Sequence, residues 1–218
     1  MKLAVFDVDG TLIDSQHHIC AAMNVAFEQA GLPPVARAQV LGIVGLSLHV
    51  AIARLVPQAD EQTQARIVAA YRAAFTQVRT AGEAPLYPGA RDCLDALAAR
   101  PDMLLAVATG KSRRGLRAMI EAHDLHGRFV SLQSADDHPS KPTPDMLHAA
   151  LDDAGVAAAD AVMIGDTSFD MLMARAAGVT GFGVAWGYHP VSALQQAGAA
   201  FVAPDFPALT ARIVEWAA

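Results

Sequence analysis

Two aspartates near the start of the chain, Asp7 and Asp9, are spaced by one residue at the end of an apolar run. The run, Leu3 to Val8, is typical of a strand that is covered on both faces in a parallel sheet. Side chains two residues apart share a face of a strand, so both carboxylates are expected on the same side where the strand stops. A site that gathers like charges requires a cation, and open α/β sheets bind ligands beyond the carboxyl ends of their strands.

A second pair of acids stands in the same relation to another apolar run. Asp166 follows residues 161–164 and Gly165, and Asp170 lies four residues further on, where a helix is predicted to begin. Asp166 is therefore expected at the sheet edge beside Asp7, with Asp170 on the same side if the helix has begun. A hard divalent cation with oxygen ligands would offset this charge. Magnesium (Mg2+) fits best because it accepts few carboxylates together with waters and phosphate oxygens.

The Asp-x-Asp-Gly-Thr pattern has two simpler explanations. A calcium-binding EF-hand loop counted from Asp7 needs glycine at its sixth position and glutamate at its twelfth, where this chain has Leu12 and His18. A strand end with solvated acids would explain Asp7 and Asp9 alone. It does not explain why Asp166 follows a second apolar run in the same way.

Thr109, Gly110 and Lys141 are candidates for holding an anion. Thr109 and Gly110 follow the apolar run 103–108 and precede a predicted helix, a combination that suits one anionic oxygen. Taken alone, this segment is better explained as an ordinary helix cap formed by Thr109 or Ser112. Lys141 precedes another predicted helix and could be a solvated surface residue. A cation at that place would offset the acids and the charge of a transferring phosphoryl group.

Strand and helix patterns alternate along most of the chain, which indicates βαβ units and a parallel sheet. Beyond the first strand, strands are predicted at residues 103–109, 129–132, 161–164, 179–185 and 201–202. Residues 15–85 interrupt the alternation with helical stripes only, and we name them the cap segment. The prediction is an α/β core domain of residues 1–14 and 86–218 with an inserted helical cap domain at 15–85. The two crossings between them allow a hinge.

Composition excludes several classes of protein. The net charge of -6 and the lack of a basic run argue against nucleic acid as the main partner. No apolar run approaches the roughly 20 residues needed to span a bilayer, and no signal-peptide core precedes Asp7. The only cysteines, Cys20 and Cys93, lack metal-type spacing and suit reduced thiols. A cytoplasmic protein is expected.

Four motifs thus follow predicted strands in the order Asp-x-Asp-x-Thr, Thr, Lys and Gly-Asp-x-x-x-Asp. Over nearly its whole length the chain resembles the haloacid dehalogenase superfamily, and looks like its phosphoglycolate phosphatase-like branch with a helical cap inserted after the first strand. The resemblance implies a Rossmann-like parallel sheet flanked by helices. Asp9 favours a phosphatase or phosphomutase, because the dehalogenases of the superfamily lack the second aspartate.

The resemblance also implies roles for the candidate residues. Asp7 would be the nucleophile that forms an aspartyl phosphate, and Asp9 the general acid and then the general base. Asp7, Asp166 and the backbone carbonyl of Asp9 would bind Mg2+. Asp170 would fix waters or Lys141 behind these ligands. The phosphoryl oxygens would be held by Thr109, Gly110 and Lys141.

The expected activity is magnesium-dependent hydrolysis of a small phosphorylated metabolite, such as phosphoglycolate or a sugar phosphate. A sugar phosphomutase of the same fold is the first alternative, and a non-catalytic interaction module is a remote one. The loop at residues 42–47 resembles a cap loop that closes over the site, although a tight turn between helices explains it equally well. His17 and His18 are better explained as exposed or capping residues than as substrate contacts. The sequence is silent on oligomeric state.

Overall fold

Six parallel strands form one sheet at the centre of the structure, which is a computed structural model that describes residues 1–218. The strands are β1 (Lys2–Phe6), β2 (Met103–Thr109), β3 (Ser131–Ser134), β4 (Ala161–Gly165), β5 (Thr180–Val184) and β6 (Phe201–Ala203). Their order across the sheet is β3-β2-β1-β4-β5-β6. The predicted fold class, α/β with a parallel sheet, is confirmed.

The register of the three central strands determines where the acids lie. Phe6 at the end of β1 is level with Val107 of β2 and with Ile164 of β4. Asp7 therefore leaves the sheet beside the ends of both neighbouring strands. Open α/β sheets bind ligands at this edge, where the backbone turns away from the ladder and side chains become available.

Ten helices surround the sheet and form the cap segment. They are α1 (Gln16–Gln29), α2 (Arg37–Leu41), α3 (Leu48–Leu55), α4 (Glu61–Ala81), α5 (Ala90–Ala98), α6 (Arg113–Ala122), α7 (Asp145–Ala154), α8 (Ser168–Ala176), α9 (Val191–Gln196) and α10 (Phe206–Ala217). Side chains of β1 alternate between the two faces, as a strand requires. Ala4 and Phe6 pack with α5, α6 and α10, whereas Leu3 and Val5 pack with α7 and α8. Both faces are covered, which explains the continuous apolar runs.

The helices α1 to α4 of the cap segment pack around an apolar cluster of their own. Its buried members include Ile19, Met23, Ile52 and Ile67, which belong to the three helical stripes predicted from the sequence. The short helix α2 was not predicted, because five residues without a side-chain cap give no clear periodicity. The division into two domains at residues 14–15 and 85–86 stays a prediction.

The two crossings between the sheet and the cap segment lie side by side. The Asp14 N–H donates to the Pro85 carbonyl and the Tyr87 N–H donates to the Leu12 carbonyl, each at 2.9 Å. Ile13 and Leu86 form an antiparallel bridge between these bonds. The chain therefore leaves and re-enters the core through one short two-stranded connection. No helix in the structure is long and apolar enough to cross a membrane.

Candidate active site

Three carboxylates converge at the edge of the sheet, from Asp7 after β1, Asp166 after β4 and Asp170 in the first turn of α8. One oxygen of each lies within 4.8 Å of the others, and all three side chains are buried. Helical spacing does not cause this convergence, because α8 begins at Ser168, after Asp166. Thr167 and Asp170 instead form a capping box, and this reciprocal pair of hydrogen bonds turns the Asp170 carboxylate back toward Asp166.

Asp166 is fixed on both carboxylate oxygens. The Thr11 hydroxyl donates to Oδ1 at 3.0 Å, and the backbone N–H of Tyr188 donates to Oδ2 at 2.8 Å. Two glycines give the carboxylate its space, because a Cβ on Gly10 or Gly187 would lie 2.2 Å or 2.1 Å from an Asp166 side-chain atom. The orientation of Asp166 is therefore set before any ligand binds.

Lys141 is the cation of this cluster. Its Nζ lies 2.6 Å from Asp170 Oδ1 and 3.0 Å from Asp7 Oδ1, and its side chain is fully buried. Burial opposes the charged ammonium, but the carboxylates of Asp170 and Asp7 raise the pKa of Lys141 above its ordinary value. The lysine is thus charged inside the protein, and the alternative of a solvated surface lysine is wrong.

The positive charge of one lysine does not neutralise three carboxylates, and the excess negative charge affects Asp7. Burial and the neighbouring charge of Asp170 raise the pKa of the Asp7 carboxyl to about 6, although Lys141 opposes the shift. Burial, then Asp170 and Asp7, also raise the pKa of Asp166 well above its ordinary value. Lys141 is the one charged partner of Asp7, and the buried Oδ2 of Asp7 has no partner at all. A buried carboxylate oxygen without a partner is expected to coordinate a cation or to hold a proton, so the donor set fits a hard divalent metal.

Asp9 lies apart from the three acids and pairs with a different lysine. Lys111 Nζ donates to both Asp9 oxygens, at 2.8 Å and 3.0 Å, and also lies 5.1 Å from the ring centre of Phe75 in α4. Asp7 and Asp9 line the same cavity, as expected from their spacing. The carboxylate of Asp9 is not part of the acidic cluster, and metal binding by its backbone carbonyl stays a prediction.

Thr109 and Gly110 lie between the acids and the cap segment. Thr109 ends β2 with its side chain buried, and its hydroxyl accepts the Lys111 N–H at 3.2 Å. The predicted helix cap is present at Ser112, whose hydroxyl accepts the Gly115 N–H. Gly110 faces the loop at 42–47 so closely that a Cβ would lie 2.5 Å from the Gly45 carbonyl oxygen. Only glycine fits there, so this loop lies directly over the candidate phosphate site.

A cavity of 390 Å³ opens between the sheet edge and the cap segment. Asp7, Asp9, Thr109 and Gly110 line its core side. The cap side is lined by α1, α4 and the loop at 42–47, and the Ser47 N–H of that loop donates to the Ser140 hydroxyl at 2.9 Å. The loop therefore closes over the site, in agreement with one of the two explanations left open by its sequence.

Several residues at the site were not identified from the sequence. Lys111 precedes Arg113, Arg114 and Arg117, a pattern typical of a solvated helix face, and nothing in it marks an ammonium that turns inward. Thr11 follows the Asp-x-Asp pair and could have been identified as a partner for a neighbouring acid. Tyr188 and Trp186 carry no local signal. Trp186 donates from its indole N–H to the Thr11 carbonyl at 3.0 Å.

His18 has a structural role, in line with the simpler explanation. Its Nε2 lies 2.7 Å from the Gly82 carbonyl oxygen, at the returning end of the cap segment. His123 contacts the Ala84 carbonyl in the same way, at 2.9 Å. The two imidazoles therefore hold the second crossing from its two sides, one from the cap segment and one from the core. His17 is exposed on α1.

The fold and the site define a hydrolase of the haloacid dehalogenase-like class. The family model described as "Haloacid dehalogenase-like hydrolase" matches residues 4–184, which is most of the chain. The chain therefore belongs to this family. The resemblance seen in the four motifs is confirmed.

Individual relatives agree with this assignment over nearly the whole chain. "Probable phosphatase IndB" of Dickeya dadantii is 36% identical over 200 residues, covering 89% of this chain and 86% of the relative. "Phosphoglycolate phosphatase" of Rhodospirillum rubrum is 36% identical over 220 residues, covering 95% and 89%. Among solved structures, a hydrolase from Pseudomonas syringae superposes with a TM-score of 0.89 at 26% identity and covers 100% of both chains.

Proposed function

We propose that this chain, a phosphoric monoester hydrolase of the haloacid dehalogenase-like family, is a magnesium-dependent phosphatase that acts on a small phosphorylated metabolite. The observation that carries the proposal is Asp7. Its carboxylate is buried, has one oxygen without a partner and lies between a charged lysine and two further acids. Such an arrangement costs stability, and buried carboxylates perturbed in this way cluster at functional sites.

Asp7 and Asp166 are the carboxylates that would hold Mg2+, together with the backbone carbonyl of Asp9. When bound, the ion would supply charge neutralisation at the phosphoryl oxygens, which repel an anionic nucleophile. Asp170 would not need to bind the ion directly, because one of its oxygens already contacts Lys141 and the other accepts from Thr167. It would act by positioning Lys141.

The proposed reaction has two displacements at phosphorus. An Asp7 oxygen forms a bond to phosphorus while the bond to the leaving oxygen breaks, and Asp9 gives its proton to that oxygen. A water then attacks the aspartyl phosphate, Asp9 takes the proton of this water, and the Asp7 carboxylate is restored with release of inorganic phosphate. Lys141, the Thr109 hydroxyl and the Gly110 N–H would hold the remaining phosphoryl oxygens.

Lys111 adds a step that the sequence did not suggest. Asp9 must face the leaving oxygen to act as the acid, whereas both of its oxygens accept hydrogen bonds from Lys111 in this structure. We therefore propose that Lys111 turns toward the anionic substrate when the substrate enters. This movement would free an Asp9 oxygen to face the leaving group and would add positive charge beside it.

The cap segment would act as a lid that excludes water and contacts the leaving group. Its loop at 42–47 already lies against Gly110, and the adjacent crossings give it a hinge. Relatives named phosphoglycolate phosphatase make phosphoglycolate one candidate substrate, and a sugar phosphate is another.

The test is release of inorganic phosphate from a panel of phosphorylated metabolites, measured across a magnesium titration and in excess chelator. We expect saturable release that the chelator abolishes. Asp7→Asn should abolish it while the protein stays folded, whereas Asp14→Asn, an acid at the crossing outside the cavity, should keep it. Turnover by the Asp7→Asn variant at the wild-type rate would contradict the covalent mechanism. Isomerisation of a sugar phosphate without net phosphate release would indicate a mutase instead.

A further inference from the structure

The cavity has a partly exposed apolar wall for which the proposed reaction has no use. Ile43, Leu48 and Phe75 line its cap side, and all three side chains are partly exposed. Tyr71 of α4 lines the same side. Apolar surface that faces a cavity is stabilised when the apolar part of a ligand replaces water there.

The volume of the cavity points in the same direction. At 390 Å³ it lies within the range of about 300–1,000 Å³ that is typical of sites enclosing drug-sized ligands. The phosphoryl group would occupy only the end beside Asp7 and Thr109. A two-carbon, charged leaving group such as glycolate would end near these polar residues and would leave the apolar wall in contact with water.

The charged residues that line the cavity do not favour a charged leaving group at this wall. Lys111 is the only lysine among the lining residues, and it acts at Asp9 and the reacting oxygens rather than at the apolar wall. Arg72 and Arg114 line the mouth and are exposed, so water and salt screen them, and the half-buried Arg79 is paired with Glu83. Burial raises the pKa of the Tyr71 hydroxyl above its ordinary value, which keeps the hydroxyl neutral.

We propose that the substrates are phosphomonoesters whose leaving group carries an apolar body larger than glycolate, seated against Leu48, Tyr71 and Phe75. This inference rests on the phosphatase activity proposed above and narrows its substrate class. The phosphoryl end is fixed by the core, and selection among substrates comes from apolar contact with the cap segment. Such contacts discriminate between substrates by about tenfold for each small apolar group that is buried.

Ethyl phosphate and 2-phenylethyl phosphate are the probes, because both release a primary alkoxide and differ in the apolar ring. Phosphate release with Mg2+ gives kcat/KM for both and for phosphoglycolate. We expect kcat/KM for 2-phenylethyl phosphate to exceed the other two values by about tenfold or more. Equal values, or a preference for phosphoglycolate, would overturn this inference and leave the phosphatase proposal intact. No release from these three with release from a sugar phosphate would overturn this inference alone, and no release from any member of the metabolite panel would overturn both.

Two variants locate the effect. Tyr71→Ala should lower the ratio of kcat/KM between 2-phenylethyl and ethyl phosphate by about threefold or more, because the ring loses part of its contact surface. Val68→Ala is the matched control, since Val68 lies on the same helix and packs on the same cap cluster without lining the cavity. It should keep the wild-type ratio. An equal fall in both variants would overturn the proposed contact, and if Tyr71→Ala fails to fold, the wild-type ratio alone decides.

Discussion

The two sides of the cavity are held in place by different kinds of interaction. On the core side, Asp166, Asp170 and Lys141 each have charged or hydrogen-bonding partners within 3.0 Å, so their positions are determined by directional contacts. On the cap side, Ile19, Met23 and Tyr71 have only apolar packing to hold them. Packing specifies volume and shape but few directions.

This difference separates the two tasks of the enzyme. Phosphoryl transfer requires charges at fixed places, and a displacement of about 1 Å costs as much as a hundredfold in rate. Recognition of a leaving group tolerates adjustment, so an apolar wall can change its residues without disturbing the chemistry. We expect substitutions on the core side to have large effects on every substrate and those on the cap side to change selectivity.

Replacement of the buried lysine should have the largest effect on the activity and stability of the core side. Lys141→Met leaves Asp7, Asp166 and Asp170 without an internal cation, so phosphate release should fall by about a thousandfold or more. The free energy of unfolding of the metal-free protein should drop by about 3–5 kcal/mol, as for other buried pairs that lose one partner. Urea unfolding and phosphate release measure the two effects.

Lys2→Met is the matched control for that substitution. Lys2 pairs with Asp160 at the surface, where both side chains are partly exposed. A surface ion pair contributes about 0–1 kcal/mol, so this variant should keep its activity and most of its stability. An active and stable Lys141→Met variant would show that the core side does not depend on its lysine.

Asp7→Asn should stabilise the metal-free protein while it removes activity. The carboxyl has an ordinary pKa of 3.8 and a pKa of about 6 in the fold, so between these values the folded state binds more protons than the unfolded state. Wild-type stability therefore falls as the pH rises through this window, and the full penalty is present above it. At pH 8 the variant should be more stable by up to about 3 kcal/mol.

The same variant should gain less at pH 5, where the wild-type carboxyl still holds its proton in the folded state. Urea unfolding in excess chelator at both pH values measures the difference between the two proteins. A variant that is less stable than wild type at pH 8 would mean that Asp7 is stabilised by Lys141 more than it is destabilised by burial.

Lys111→Met tests the link between Asp9 and the cap segment. It removes the cation that contacts Asp9 and Phe75, so kcat/KM should fall by about 10- to 100-fold, and Lys111→Arg should restore part of it. Arg113→Met is the control, because Arg113 lies two residues away and pairs with Asp137 at the surface. Equal losses in both variants would indicate a general effect of charge at this helix start.

The smallest expected effect is at the hinge. The Tyr188 hydroxyl accepts the Ser15 N–H and also contacts the Ser15 hydroxyl, each at 3.1 Å. Tyr188→Phe should lower the free energy of unfolding by about 1 kcal/mol and raise KM more than it changes kcat, because it loosens the cap segment. Combined with Ser15→Ala, the losses should be less than additive. Fully additive losses would show that the two hydroxyls act independently.

The core side of the site could be predicted from the sequence because the residue where an apolar run stops marks the end of a strand. Asp7, Thr109 and Asp166 each follow such a run, and parallel strands end at one edge, so their convergence follows from the fold class. Strand β2 was predicted with its observed bounds, Met103–Thr109. Strand β3 was predicted at 129–132 but lies at Ser131–Ser134, because an edge strand need not be apolar and its residues include Gln133.

The rest of the site could not be predicted, because the type of a residue does not determine the direction in which its side chain points. Lys111 and Arg113 both stand at the start of α6, yet one turns inward to Asp9 and the other pairs at the surface. On the cap side, Ile19 and Met23 follow the same period as core residues. Their role as cavity lining depends on how the cap segment sits over the sheet, which no local pattern records.

The paired crossings at Asp14 and Pro85 have a consequence for how such proteins diversify. The chain leaves and re-enters the core through neighbouring, hydrogen-bonded residues. The cap segment is therefore comparable to a long loop that connects the two strands of a β-hairpin. Exchange of such a loop adds little to the entropy of closing it and leaves the sheet contacts intact. The catalytic residues at the sheet edge can therefore stay unchanged while the cap segment is replaced as a unit. A new cap segment can then change the substrate without any change in the catalytic residues.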